Sequence, residues 1–222
     1  MRRLSLATGI AVLAIVWLGP LLIAWRESFA SGMVAHMAVV AIASPLIAIG
    51  LPDRLRPGLG MPAALPVLAS LFEVLVVWGW HAPSMRAATG TSFAIAMLEQ
   101  ASFLAAGLLL WSTSFAEGER IHAATGAAAL LLTSIHMTLL GALLALSPRP
   151  LYGTGEVTCF GLVLDSRVDQ QLGGVIMLGV GAVVYLVGGL GLVRRLLEFP
   201  IPSRNRPNSK LSHVTPAGEP RG

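Results

Sequence analysis

The chain has 222 residues, of which 55% are hydrophobic and only 12% are charged. A soluble domain carries about twice that charged fraction, so the composition excludes an ordinary soluble protein and predicts a multi-pass membrane protein. The net charge is +4, but the basic residues lie mainly at helix ends and in the tail, which fits membrane orientation and not nucleic-acid binding. The single cysteine, Cys159, excludes an internal disulfide and any paired-cysteine redox or zinc motif.

Six stretches are long and apolar enough to cross a bilayer as helices. They lack the period-2 alternation of barrel strands, so we expect an all-α transmembrane bundle over residues 1–199 and a disordered basic tail over 200–222. Small residues at spacing four, Gly141 with Ala145 and Ala101 with Ala105, predict close helix packing. The predicted spans are Leu4–Trp25, Met33–Leu51, Ala64–Trp80, Phe93–Phe115, Ile121–Leu146 and Gly173–Leu197.

The distribution of basic residues predicts the orientation of these spans. The two termini and the second and fourth loops hold 11 Lys and Arg residues, whereas the first, third and fifth loops hold 4. By the positive-inside rule both termini are therefore cytoplasmic. We call the side of the first, third and fifth loops the outer end and the opposite side the inner end.

Costly polar side chains gather in the outer half of the predicted bundle. His136 lies about 15 Å and Glu73 about 12 Å below that end at 1.5 Å per residue, and intramembrane ionisable groups are usually functional. Met33, His36 and Met37 fit one helical face. Imidazole and thioether ligands together suit Cu(I), which prefers soft ligands. The predicted set of metal ligands is His36, Met37, His81, Glu99 and His136.

Polar residues also cluster around the fifth loop, where a functional role and a structural role are both open. Each has a structural explanation: Asp169 as the N-cap of the sixth helix, for example, or Gln170 and Gln171 as hydrogen-bond donors to loop carbonyls. Glu73 is similarly expected to be a neutral, hydrogen-bonded acid, and Cys159 an unpaired thiol. The residues of this cluster are Arg149, Tyr152, Asp169, Gln170 and Gln171.

Four segments together resemble the multi-pass CtaG family of cytochrome c oxidase assembly proteins. The resemblance covers about residues 33–197, and the last two segments are the most distinctive. The segments are His36-Met37 with Ser44–Pro52, Leu98–Gln100 with Phe103–Leu108, Gly141–Leu144 with Ser147–Tyr152, and Asp169–Gly174 with Met177.

The resemblance implies a multi-pass protein of the bacterial inner membrane that assists the assembly of a haem-copper oxidase and is not an enzyme. It also implies transient handling of Cu(I), with an oxidase subunit or a copper donor protein as partner. The predicted docking residues for this partner are those of the fifth-loop cluster, Arg149, Tyr152, Asp169, Gln170 and Gln171. Two positions depart from the family pattern, which often has histidine where this chain has Gly32 and Gln100. His136 is then expected to supply a missing imidazole.

Other functions remain open at this stage. His36 and His136 fit the axial ligands of a membrane haem or quinone protein, which a Soret band would reveal for haem. Glu73 and Glu99 fit a small proton-coupled transporter, although the sequence has no internal repeat. The chain also fits a scaffold that binds no ligand. No nucleophile elbow, HExxH motif, phosphate loop or dinucleotide fingerprint is present to indicate catalysis.

Overall fold

The computed structural model describes residues 1–56 and 60–198, and over these residues the chain is the all-α membrane bundle that the sequence predicts. The predicted basic tail lies outside the described residues. The elements are α1 Arg2–Leu18, α2 Pro20–Ile23, α3 Phe29–Met37, a π-helical segment Ala38–Ala43, α4 Ser44–Gly50, a 3-10 turn Asp53–Leu55, α5 Leu65–Trp80, α6 Pro83–Thr91, α7 Phe93–Ser114, α8 Arg120–Leu146, β1 Glu156–Cys159, β2 Leu162–Asp165 and α9 Ser166–Glu198.

The path of the described chain agrees with six membrane crossings. Five helical segments in residues 1–56 and 60–198 are long and apolar enough to span a bilayer. The sixth crossing is α5, whose 16 residues cover about 24 Å. At its start the carbonyl of Met61 accepts a hydrogen bond from His122 at the inner end. Beyond its end α6 turns away by 69° at the outer end, where it begins on Pro83.

The second span is continuous from Phe29 to Gly50 but changes its winding in the middle. The π-helical segment and Pro45 interrupt the regular α-helical hydrogen bonding, and the hydroxyl of Ser44 donates to the Val39 carbonyl at 2.8 Å. The indole of Trp111 donates to the Val40 carbonyl at 2.9 Å. After the π-helical segment, α4 packs against α1 and α7. Before it, α3 packs against α9.

Close packing between α8 and α9 confirms one of the two small-residue predictions. A Cβ added to Gly141 would lie 2.9 Å from the carbonyl oxygen of Gly174, and one added to Gly174 would lie 2.5 Å from the backbone nitrogen of Ala145. The prediction for Ala101 and Ala105 was wrong, because both residues are exposed on α7. Small residues at spacing four show that another helix can approach closely. They do not show whether that face of the helix contacts a neighbour.

The fifth loop is shorter than expected and contains a hairpin that the sequence did not predict. Helix α9 begins at Ser166, so the segment 169–174 is helical and does not belong to the loop. Strands β1 and β2 pair in antiparallel register, with Cys159 opposite Leu162. The turn residues Phe160 and Gly161 both have positive φ, as a two-residue hairpin of this twist requires.

Candidate metal site at the outer end

Asp169 fixes the start of the second span. Its carboxylate accepts hydrogen bonds from the Ser28 hydroxyl at 2.7 Å and from the backbone N–H groups of Phe29 at 2.5 Å and Ala30 at 3.2 Å. The structural alternative that the sequence offered, N-cap of its own helix, is not realised, because Asp169 lies in the first turn of α9 and satisfies the free donors of α3 instead. Asp169 is buried, so its side chain is occupied inside the chain.

Gln170 holds the chain that leaves α8. Its Oε1 accepts from the Leu151 N–H at 2.6 Å, and its Nε2 donates to the Leu144 carbonyl at 3.2 Å. The structural alternative for Gln170 is thus realised, and its side chain, like that of Asp169, is unavailable to a partner. Of the predicted docking residues, Arg149 is exposed and Gln171 half-buried. The docking role of these two stays a prediction.

Tyr152 connects the fifth loop to the residue that follows α5. Its hydroxyl donates to the backbone carbonyl of His81 at 2.8 Å, and its ring stacks on Phe29 with centroids 4.5 Å apart. Burial raises the pKa of Tyr152 to about 12, against an opposing effect of the Arg86 charge. The phenol therefore remains a neutral donor at physiological pH, and it positions the His81 backbone.

The imidazole of His81 presents one bare nitrogen to a methionine sulfur. Its Nδ1 lies 2.7 Å from the Val77 carbonyl oxygen, which can only accept, so in the neutral ring the proton is on Nδ1. Nε2 then carries a lone pair, and it lies 3.3 Å from Sδ of Met33. A nitrogen lone pair of His81 and the sulfur lone pairs of Met33 therefore face each other, with no proton between them. A ligating histidine is usually oriented through its other nitrogen by such a carbonyl.

His36 lies beside His81 and has no partner for either ring nitrogen. The two ring centroids are 5.7 Å apart, and the opposite neighbour of His36 is Phe103 at 4.0 Å, edge to face. Although His36 is fully buried, neither its Nδ1 nor its Nε2 has a hydrogen-bond partner among the described residues. A buried polar atom without a partner costs free energy, so such atoms call for an explanation.

His136 on α8 shares this property. Both of its ring nitrogens are buried and lack a partner within the described part of the chain, and the ring interacts electrostatically with His36. Three of the predicted imidazoles, His36, His81 and His136, therefore belong to one region. We call His36, His81, His136 and Met33 the outer histidine cluster.

The structure does not bring the complete predicted ligand set together. Glu99 is buried and interacts electrostatically with Arg86 of α6. Met37 is buried in the apolar core. In residues 1–56 and 60–198 no three His, Cys, Asp or Glu side chains are close enough to hold one metal ion. A soft ion would thus depend on the thioether as well as on imidazoles, and the five-residue set stays a prediction.

A comparison with known protein families identifies the family of this chain. The family model described as cytochrome c oxidase caa3 assembly factor (Caa3_CtaG) matches residues 1–198. The chain belongs to this family. No curated protein and no solved structure matched the chain.

Gly32 and Gln100, the two positions that depart from the CtaG pattern, both lie in buried surroundings. A Cβ at Gly32 would lie 3.0 Å from Nη2 and 3.2 Å from Nη1 of Arg86, so the guanidinium occupies the space that a larger side chain at position 32 would need. This guanidinium also donates to the Ser28 carbonyl at 3.0 Å. At the second position Gln100 is buried, and its Oε1 has no hydrogen-bond partner in the described residues.

A second buried polar group in this CtaG-family bundle surrounds Glu73. The Glu73 carboxyl accepts hydrogen bonds from the Thr133 hydroxyl and the Tyr185 hydroxyl, each at 3.1 Å, and Thr133 also bonds to Ser70 at 2.8 Å. The Tyr185 ring stacks on Trp111 with centroids 5.3 Å apart. The expected hydrogen bonding of Glu73 is present, whereas its protonation stays a prediction. We call Ser70, Glu73, Thr133 and Tyr185 the Glu73 network.

Cys159 is the expected unpaired thiol and is buried where β1 meets the start of α3. Burial raises its pKa, while a hydrogen bond with Ser28 acts in the opposite direction and the nearby Asp169 adds to the increase. A thiol with a raised pKa is a poor nucleophile and a poor ligand at neutral pH. The structure therefore favours packing as its role.

Sequence reasoning missed several residues that define the outer site. Met33 was placed on the His36 face but omitted from the ligand set, and Phe29, Phe103 and Arg86 were not considered. The i, i+3 spacing of Met33 and His36 was an available indication. The contact of Met33 with His81 joins residues 48 apart, which no local spacing reveals.

Proposed function

We propose that this protein assists the assembly of a haem-copper oxidase in the bacterial inner membrane by holding Cu(I) transiently at the outer histidine cluster. The ion is cargo, received from a copper donor protein or passed to an oxidase subunit. Family membership supports the assembly role. Support for copper comes mainly from the 3.3 Å contact between Nε2 of His81 and Sδ of Met33.

The donor set suits Cu(I) better than the other common ions. A thioether and neutral imidazoles are soft to intermediate ligands, whereas Mg²⁺ and Ca²⁺ prefer oxygen ligands. The unpaired nitrogens of His36 and His136 supply further lone pairs in the same region. A site that combines few ligands with a thioether binds weakly enough to release its ion, as transfer requires.

Entry and release of the ion are proposed to involve the fifth loop. Tyr152 holds the His81 backbone and its ring covers Phe29, so movement of this loop changes the surroundings of the site. Arg149 is exposed on the same loop, and Leu162 and Val163 of the hairpin are about two-thirds exposed. A partner docking on these residues would reach Tyr152 directly.

The test is copper retention by the purified full chain after anaerobic loading with Cu(I). Met33→Leu removes the sulfur with little change of volume, and such swaps usually cost less than about 1.5 kcal/mol. Met137→Leu is the matched control, because Met137 is equally buried on α8 and packs toward Gly181 of α9. We expect at least a tenfold loss of affinity for Met33→Leu and none for Met137→Leu.

A second experiment connects the site to the oxidase. In a strain lacking this protein, complementation with wild-type chain should restore oxidase copper, and complementation with Met33→Leu should not. Copper-free purified protein together with unchanged oxidase copper in the deletion strain would refute the proposal. A Soret band in the purified protein would replace it with the haem alternative.

A further inference from the structure

A cleft at the inner end remains unexplained by the outer histidine cluster. It lies between α4, the end of α7 and the last turns of α9, and its volume is about 790 Å³. Ligand sites typically measure roughly 300–1,000 Å³. Its apolar walls include Ala48, Leu51, Phe115, Gly188, Gly191 and Leu192.

The cleft lies beyond the change of winding in the second span. The π-helical segment Ala38–Ala43 and Pro45 send α4 toward α1 and α7, while α9 stays with α8 and, nearer the outer end, with α3. The helices therefore separate toward the inner end. Gly191 borders open space, because a Cβ there would meet no atom within 4 Å.

Charged side chains stand at the mouth of this apolar cleft. Arg56 is fixed there by donating to the carbonyls of Ile49 at 2.6 Å and Leu51 at 3.1 Å, and it lies 3.9 Å from the largely exposed Glu117 carboxylate. Arg195 also lines the cleft and is half-buried. No hydrogen bond or ion pair joins it to another residue of 1–56 or 60–198. The charged residues that line the cleft are thus two arginines and one carboxylate, so the lining carries a net positive charge.

We propose that this inner-end cleft binds an anionic phospholipid. One acyl chain lies against the wall formed by Phe115, Gly188 and Gly191, and the headgroup phosphate meets Arg195 and Arg56. Basic pockets between membrane helices are suited to anionic headgroups. The inner end also carries the excess of Arg and Lys expected of the cytoplasmic side, whose leaflet is rich in anionic lipid. The site is independent of copper binding.

Native mass spectrometry of the purified full chain tests the proposal. The protein is offered an equal mixture of phosphatidylglycerol and phosphatidylcholine with identical acyl chains. We expect one phosphatidylglycerol to be retained in preference to phosphatidylcholine. Arg195→Gln should lower this preference about fivefold, the effect of one basic residue near an anionic lipid. Equal retention of the two lipids, or retention of neither, would overturn the proposal.

A pair of glycine variants distinguishes lipid binding in the cleft from general lipid contact with the helix surface. Gly191→Phe should fill the cleft and abolish retention of the lipid. Gly179→Phe is the control, since Gly179 is also exposed on α9, a Cβ there likewise meets nothing within 4 Å, and it does not line the cleft. Circular dichroism checks that both variants fold. If both lose the lipid equally, or neither does, the cleft is not the site.

Discussion

The Glu73 network and the outer histidine cluster are both buried polar groups among apolar helices, yet they differ in one respect. Each carboxyl oxygen of Glu73 has a hydroxyl donor within the chain. Both ring nitrogens of His36 and of His136 lack a partner in the described residues. Because burial without a partner is costly, we interpret the Glu73 network as structural and propose that the unpaired imidazoles serve the proposed copper site.

This comparison predicts opposite consequences of substitution. Removing a satisfied group should lower stability and leave copper retention intact. Removing an unsatisfied group should abolish copper retention and leave stability intact, as is common where function conflicts with stability. Melting temperature and copper retention, measured on the same purified variants, distinguish the two outcomes.

The largest loss of stability is expected for Asp169→Ala. The change leaves the Ser28 hydroxyl and the N–H groups of Phe29 and Ala30 without their acceptor, and lost charged hydrogen bonds of this kind cost about 3 kcal/mol in unfolding free energy. Thermal unfolding measures the effect. Asp165→Ala is the control, because the side chain of the exposed Asp165 accepts a single hydrogen bond within the described residues, from the Arg167 N–H, and it should change stability by less than about 0.5 kcal/mol. Equal melting temperatures would contradict this role for Asp169.

Glu73→Ala should cost about 2 kcal/mol, since it leaves the hydroxyls of Tyr185 and Thr133 buried without their acceptor. Glu73→Gln keeps a side-chain oxygen acceptor and should lose less. Copper retention should match wild type in both variants. A Glu73→Ala protein that melts normally but loses copper would reverse the distinction between the two groups.

Tyr152→Phe should cost about 1 kcal/mol by removing the hydrogen bond to the His81 carbonyl. Because the pKa of Tyr152 is raised to about 12 in the folded protein, its contribution is complete below pH 10 and is lost as the pH rises through 12. Melting curves between pH 9 and pH 12 should therefore converge for wild type and Tyr152→Phe. A constant difference across that range would exclude this phenol as the titrating group.

The smallest effect on stability is expected for His36→Leu, within about 0.5 kcal/mol of wild type or slightly stabilising, because the change removes two unpaired buried nitrogens. The same variant should lose copper affinity at least tenfold. Thermal unfolding and copper retention of one preparation give both values. A strongly destabilised His36→Leu protein would mean that the imidazole is a structural group with partners inside the chain.

Sequence reasoning predicted the spans better than their ends. The apolar runs located the membrane crossings, but the second span starts at Phe29 and not Met33, and α9 starts at Ser166 and not Gly173. The polar first turn of α9 hid its start. For α3 the missing information is a distant contact, because Asp169 satisfies its start from 140 residues away.

The sequence predicted the types of ligand in the outer site but only some of the residues that supply them. Three imidazoles could be assigned to the outer half from helix rise alone, since depth follows from position along a span. The choice of Met33 over Met37 depends on which face meets His81, and that is decided by packing between helices. The hairpin was not predicted, although Val157-Thr158 and Leu162-Val163 flank a turn at Gly161. Its strands have only four residues each, so they do not stand out beside the long apolar runs of the membrane helices.

X-ray absorption spectroscopy at the copper edge of the Cu(I)-loaded protein tests whether Met33 and His81 are ligands of the ion. We expect sulfur and imidazole scattering in wild type and in Met137→Leu, and loss of the sulfur contribution in Met33→Leu. A copper ion without sulfur coordination in wild type, or an unchanged sulfur contribution in Met33→Leu, would contradict the assignment of Met33 and His81 as the ligand pair.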